Sequence, residues 1–148
     1  MKNIIFLLLS LLISISSFGQ KNTPSSVLEA FHKLEPDVST PFWEYREGAH
    51  VAMFPHMDGL KKMFFNEDGD WLETRTRLEK ESLPAGVKGF ITDRYAEADI
   101  TYVGKVDQPH RTLYRIESEL NSSVIIKLLN EDGVLLSENR IDWSVIPN

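Results

Sequence analysis

The stretch Phe65-Asn66-Glu67-Asp68-Gly69-Asp70-Trp71-Leu72 recurs sixty-four positions later as Leu129-Asn130-Glu131-Asp132-Gly133-Val134-Leu135-Leu136. An identical Asn-Glu-Asp-Gly tetrapeptide used twice, each time between apolar runs, restricts the folds open to the chain. Asp-Gly tolerates the positive φ of a tight hairpin, so each copy predicts strand, turn, strand. Self-similarity at a fixed offset predicts that a whole unit has been used twice.

Read in order from Thr23, the chain supports that expectation. Thr23 as cap and Pro24 in the first turn open a helix whose Val27, Phe31 and Leu34 share one face, and Pro36 stops it. Runs at Phe42–Glu47, His50–Phe54, Leu60–Phe65 and Asp70–Leu78 alternate or carry β-branched and aromatic residues, and Gly48, Asp58-Gly59 and Asn66–Gly69 separate them. Leu83-Pro84-Ala85-Gly86-Val87 restarts the pattern with a helix to about Tyr95, weakened by Gly86 and Gly89 at up to ~1 kcal/mol each. Strands follow at Asp99–Val106, Thr112–Leu120, Ser123–Asn130 and Val134–Ile141, with the extra length of the second unit near Asp107–His110. The predicted fold is α+β: a tandem repeat of a helix plus a four-stranded antiparallel meander, repeat 1 over 20–81 and repeat 2 over 82–148, with Glu79–Ser82 as the joint.

Residues 1–19 read as a signal peptide. Lys2 precedes an apolar run from Ile4 to Ile15, and small residues at Ser17 and Gly19 suit cleavage, whereas a spanning helix wants about 20 apolar residues. The absence of cysteine removes both a lipid anchor at the cleavage point and a disulfide framework. The expected location is periplasmic or secreted, with no membrane span after cleavage. The full chain carries 16 basic and 22 acidic residues; without Lys2 the balance is 15 against 22, or −7. Nucleic acid is therefore not an expected partner, because binding it begins with neutralising phosphates.

Alternation along the first Asn-Glu-Asp-Gly hairpin puts Met63, Phe65, Leu72 and Thr74 on the helix side and Phe64, Trp71, Glu73 and Arg75 on the other. Trp43 and Tyr45 are expected to join that second set. Trp43, Tyr45, Phe64, Trp71 and Arg75 form the candidate partner surface, rimmed by Lys62 and Glu73, since aromatics and arginine dominate interface energetics. In the second hairpin the cleaner apolar set is Val124, Ile126, Leu128 and Leu135, against Ile125, Lys127, Leu129 and Leu136; the pattern leaves both faces open.

The duplicated unit resembles the PepSY-like, β-lactamase-inhibitor-like family of exported Bacteroidetes proteins over nearly all of the mature chain. Its carriers are Pro24-x-x-Val27, Leu83-Pro84-x-x-Val87, Glu35-Pro36 followed by Trp43-Glu44, and the two strand-turn-strand segments around Asn66–Gly69 and Asn130–Gly133. Ala96, where that pattern has a proline equivalent to Pro36, and the glycines of the second helix depart from it. The resemblance implies a helix on a four-stranded sheet, twice, and no catalytic residue.

Other constellations point to little chemistry. His50-x-x-Met53-x-x-His56-Met57 has the donor types of a copper site. On one extended strand, however, His50 and His56 stand about 20 Å apart at ~3.3 Å per residue, with Met53 pointing away from both. Asn66–Asp70 lacks an acidic residue where a calcium loop begins, at Phe64. Asp68 and Asp70 on a hairpin tip are solvated and untuned for acid–base work. The expectation is an exported, non-catalytic binding module for a protein or peptide, without cofactor or metal, inhibitory toward an envelope or secreted hydrolase. The alternative is a small periplasmic protein that binds a ligand or ion.

Overall fold

The computed structural model describes residues 22–57, 59–95 and 99–142. The expected signal peptide at 1–19, the tail from Trp143, and the positions Asp58 and Ala96 lie outside them. Two helices, α1 (Ser25–Leu34) and α2 (Ala85–Arg94), alternate with two runs of strands. The strands are β1 (Phe42–Arg46), β2 (Ala49–His56), β3 (Gly59–Phe65) and β4 (Trp71–Arg77), then β5 (Ile100–Gln108), β6 (Arg111–Leu120), β7 (Ser123–Leu129) and β8 (Leu135–Asp142).

All eight strands belong to one antiparallel sheet in the order β1 to β8. This corrects the expected tandem repeat of helix-plus-meander units. β4 and β5, which would have been free edges of two separate four-stranded sheets, pair instead through Thr74–Arg77 and Gly104–Asp107. The physical reason is the cost of an edge: each leaves a row of backbone donors and acceptors without partners, and joining two edges satisfies both. The boundary expected after residue 81 falls in the connection between β4 and β5, two strands that pair with each other.

Both helices cover the same side. Val27 and Phe31 of α1 are fully buried against Ala52, Phe54, Met63 and Phe65. Leu34, expected on that face, ends the helix and is 48% exposed; Ala30 and Val38 complete the layer. Under α2, Val87, Phe90 and Ile91 pack with Leu83, Val103, Ile116 and Leu129. In β7 it is therefore Leu129 and Lys127 that face the helix, although Val124, Ile126 and Leu128 look cleaner in sequence. Lys127 is tolerated there because its ammonium lies 5.0 Å from the Tyr95 ring and 3.4 Å from Glu138.

The Asn-Glu-Asp-Gly segments are hairpin turns. Asn66 Oδ1 accepts from the backbone N–H groups of Asp68 (3.0 Å) and Asp70 (2.8 Å), and Asn130 Oδ1 accepts from Val134 N–H (2.9 Å). Gly69 and Gly133 take φ of +91° and +81°. Each turn also docks on the start of a helix: Ser26 Oγ donates to the Glu67 carbonyl at 3.2 Å, and Gly86 lies against Asp132. Thr23 is not the cap. Pro24 occupies that position, and its carbonyl accepts from Val27 and Leu28, both at 3.1 Å.

Gly86 thus has a packing reason to be in a helix, because a Cβ there would collide with the backbone of Asp132. Gly86→Ala is expected to destabilise the protein by about 1–3 kcal/mol through overpacking, despite the ~1 kcal/mol that alanine gains in an unobstructed helix. Chemical denaturation of the variant decides the sign; a stabilised variant would mean that the turn does not seat there.

Candidate binding face

The side of the sheet away from both helices gathers Lys62, Glu73, Arg75, Arg77, Arg115 and Glu117, and the register determines which residues reach it. In the β3–β4 ladder the pairs step from Phe64 opposite Glu73 to Phe65 opposite Trp71, so Leu72 is passed over. Such a bulge restarts the alternation. Trp71 consequently falls on the helix side beside the α1 core, its indole N–H donating to Thr74 Oγ1 at 2.9 Å. The bulged Leu72 is 40% exposed. The β7–β8 ladder slips in the same place, passing over Leu136.

The five residues expected to form one partner surface are therefore divided. Trp43 pairs with Ala52 and its ring lies 5.4 Å from that of Phe31, in the α1 core. Tyr45 stacks edge-on to His50 at 4.9 Å, also on the helix side. Phe64 and Arg75 alone reach the open face. Phe64 is 5% exposed beside Ala49 and Val51, with the Arg75 guanidinium 4.1 Å from its ring centroid. The expected grouping of Trp43, Tyr45 and Trp71 with Phe64 fails because of one skipped residue in β4 and the inward direction of β1. His50, from the copper pattern, is buried on the helix side of a strand extended from Ala49 to His56, while Met53 pairs with Lys62 across the open face.

The remainder of the open face extends the expected rim of Lys62 and Glu73 into the second half of the sheet. Lys62 stands directly opposite Arg75, and Arg77, Gly104 and Arg115 form the neighbouring cross-strand row. Lys62, Arg75, Arg77 and Arg115, with Leu60, Tyr102 and Glu117, line a hollow of about 820 Å³. Val106 and Leu113, which continue the cross-strand row of Lys62 and Arg75, are each 3% exposed. Glu73 holds Arg75 Nε at 2.5 Å, and Glu117 holds Arg115 Nε at 2.6 Å. The legible signal was the period-two run Glu73-x-Arg75-x-Arg77 together with Arg115-x-Glu117, which alternation places on one face.

Tyr102 lies across Gly104, where a Cβ would meet its ring and hydroxyl as well as the Thr76 carbonyl. Burial raises the phenol above its ordinary value, opposed by the nearby Arg115, Arg75 and Arg77 and reinforced by Glu117. An acid whose folded-state pKa is raised contributes stability that is complete below its unfolded pKa, about 10, and is lost as pH climbs through the folded value. Thermal unfolding followed above pH 10 is expected to show a loss that Tyr102→Phe diminishes. Equal losses in both proteins would contradict it.

Among the described residues, no group of His, Asp and Glu is placed to hold a metal, and no helix is long and apolar enough to cross a membrane.

No family model matches the chain, and no curated protein is similar to it. Solved structures share its fold. A DUF2874 family protein of Bacteroides ovatus ATCC 8483 is 23% identical, with a TM-score of 0.72 over 80% of this chain and 88% of that one. A BLIP-like protein of Bacteroides fragilis NCTC 9343 is 22% identical, with a TM-score of 0.68 over 84% and 90%. A protein of Bacteroides eggerthii DSM 20697, provisionally assigned to the periplasm, is 20% identical, with a TM-score of 0.73 over 82% and 91%. The chain has the fold of these Bacteroides proteins, that is, a BLIP-like fold.

Proposed function

We propose that the protein is an exported, non-catalytic binding module of the periplasm or the extracellular space, and that it takes a protein partner on the helix-free face of its sheet. The observation that carries the reading is the open face itself. It combines the buried apolar residues Phe64, Val106 and Leu113 with Tyr102 and with arginines, of which Arg75 and Arg115 are held in ion pairs. Arginine and aromatic side chains over an apolar centre are the composition of interface hot spots. Export is supported by the leader-like residues 1–19 and by the periplasmic assignment of the Bacteroides eggerthii protein. Likeness to a BLIP-like protein supports an inhibitor of an envelope or secreted hydrolase as the kind of binder. The resemblance to PepSY-like proteins adds no activity to this reading.

Affinity capture from envelope extract tests it. A partner should be retained by the mature protein and by Glu29→Arg on the outside of α1, and lost with Leu60→Arg at the hollow. Capture that survives Leu60→Arg and fails with Glu29→Arg would move the interface to the helix side. A second reading has one observation in its favour: a hollow of about 820 Å³ falls within the roughly 300–1,000 Å³ typical of small-ligand sites. A small-molecule thermal-shift screen separates the two, since a specific ligand raises the midpoint by mass action without any protein partner.

A further inference from the structure

The register of the open face sets like charges side by side. Lys62 is directly opposite Arg75, and Arg77 and Arg115 flank Gly104 in the next row of the same face. Like charges directly opposite on a sheet are destabilising. Relief is incomplete: among the described residues neither Lys62 nor Arg77 makes an ion pair, and Arg77 instead lies 5.7 Å from the Tyr102 ring centroid. Five cationic and three acidic side chains line the hollow, 5 − 3 = +2, in a chain whose net charge is −6. Arg75 and Arg115 are each held by a glutamate of their own strand through Nε, and Arg75 Nη2 lies 3.7 Å from Glu47; this positions the guanidinium groups, which carry five N–H donors each, with donors left over for a ligand. Tyr102 adds a phenol, protonated at neutral pH and able to donate.

We propose that Lys62, Arg75, Arg77, Tyr102 and Arg115 form a carboxylate-binding site, and that its ligand is a pair of acidic side chains spaced Glu-x-Glu on an extended segment of a protein partner. The inference rests on the binding reading above and deepens it. Its geometry comes from the two cationic rows. They are two residues apart along the strands, about 6.6 Å at ~3.3 Å per residue, which is the spacing of same-face side chains on an extended peptide. One carboxylate would meet the Lys62–Arg75 row and the next the Arg77–Arg115 row, each through charge-assisted hydrogen bonds.

The test is a titration of the purified mature protein with a labelled peptide carrying Glu-x-Glu, its Gln-x-Gln counterpart and inorganic phosphate as probes, at low and physiological salt. Saturable binding of the Glu-x-Glu peptide is expected, with at least tenfold weakening in Arg77→Gln and in Lys62→Glu. Lys62→Glu should leave the melting midpoint unchanged or raise it, because it replaces a like-charge pair with an opposite one. Tyr102→Phe should weaken the peptide less than either. Equal affinity for the Glu and Gln peptides, or affinity unchanged in both variants, overturns the proposal. Phosphate binding as tightly as the peptide also overturns it, in favour of a free oxyanion. If envelope capture is lost with Leu60→Arg while being indifferent to Lys62→Glu and Arg77→Gln, the binding reading stands and the carboxylate site falls. If capture is indifferent to all three, both fall.

Discussion

Replacing Phe31 by alanine is expected to lower the unfolding free energy by about 3–5 kcal/mol, the range for truncating a core aromatic, out of a typical total of ~5–15 kcal/mol. Phe31 is fully buried, and it is the hub of the α1 layer. Its ring centroid lies 5.4 Å from that of Trp43, 5.5 Å from Phe54 and 6.4 Å from Phe65, all in edge-to-face arrangements. Truncation removes the transfer term and leaves a cavity lined by rings from β1, β2 and β3, which the sheet's hydrogen-bonded register prevents from closing. Leu34→Ala, on the same helix but 48% exposed, should fall within about 0.5 kcal/mol of wild type. Denaturant melts of both variants check the pair; comparable losses would mean that the helix is seated differently.

Trp71→Ala is expected to cost about 3 kcal/mol, the lower end of the range for a core tryptophan, because the indole is only half-buried. Part of the loss comes from the contact with the α1 core. Part comes from Thr74, 6% exposed, whose hydroxyl loses the indole N–H that it accepts at 2.9 Å. Partner binding should persist in the fraction that remains folded, since Trp71 lies on the helix side. A variant with an unchanged melting midpoint and no partner capture would return Trp71 to the open face.

The elements were largely legible because hairpins announce themselves locally. Asn66–Gly69 and Asn130–Gly133 are turns, and the strands around them lie within a residue or two of their predicted limits. The helix that follows Pro84 was legible too, but Gly86 read as a weakness although it makes room for Asp132. Assembly was not legible, because nothing local in Thr74–Arg77 or Gly104–Asp107 says that these two edges will pair. The face of Trp71 was misplaced because strict alternation was carried through Leu72, where the ladder slips by one residue. Arg77, Tyr102 and Arg115 were passed over as partners of the Lys62 and Glu73 rim for a related reason. Their convergence depends on β5 and β6 lying beside β4, which follows only from the single sheet.

A photo-crosslinking residue placed at Leu60, on the rim of the hollow, and in a second protein at Glu29, on the exposed side of α1, tests most directly whether the helix-free face is the binding surface. Irradiation of each in envelope extract should give a discrete protein adduct from position 60 and none from position 29. An adduct from position 29 alone would contradict the account and place the interface on the helices.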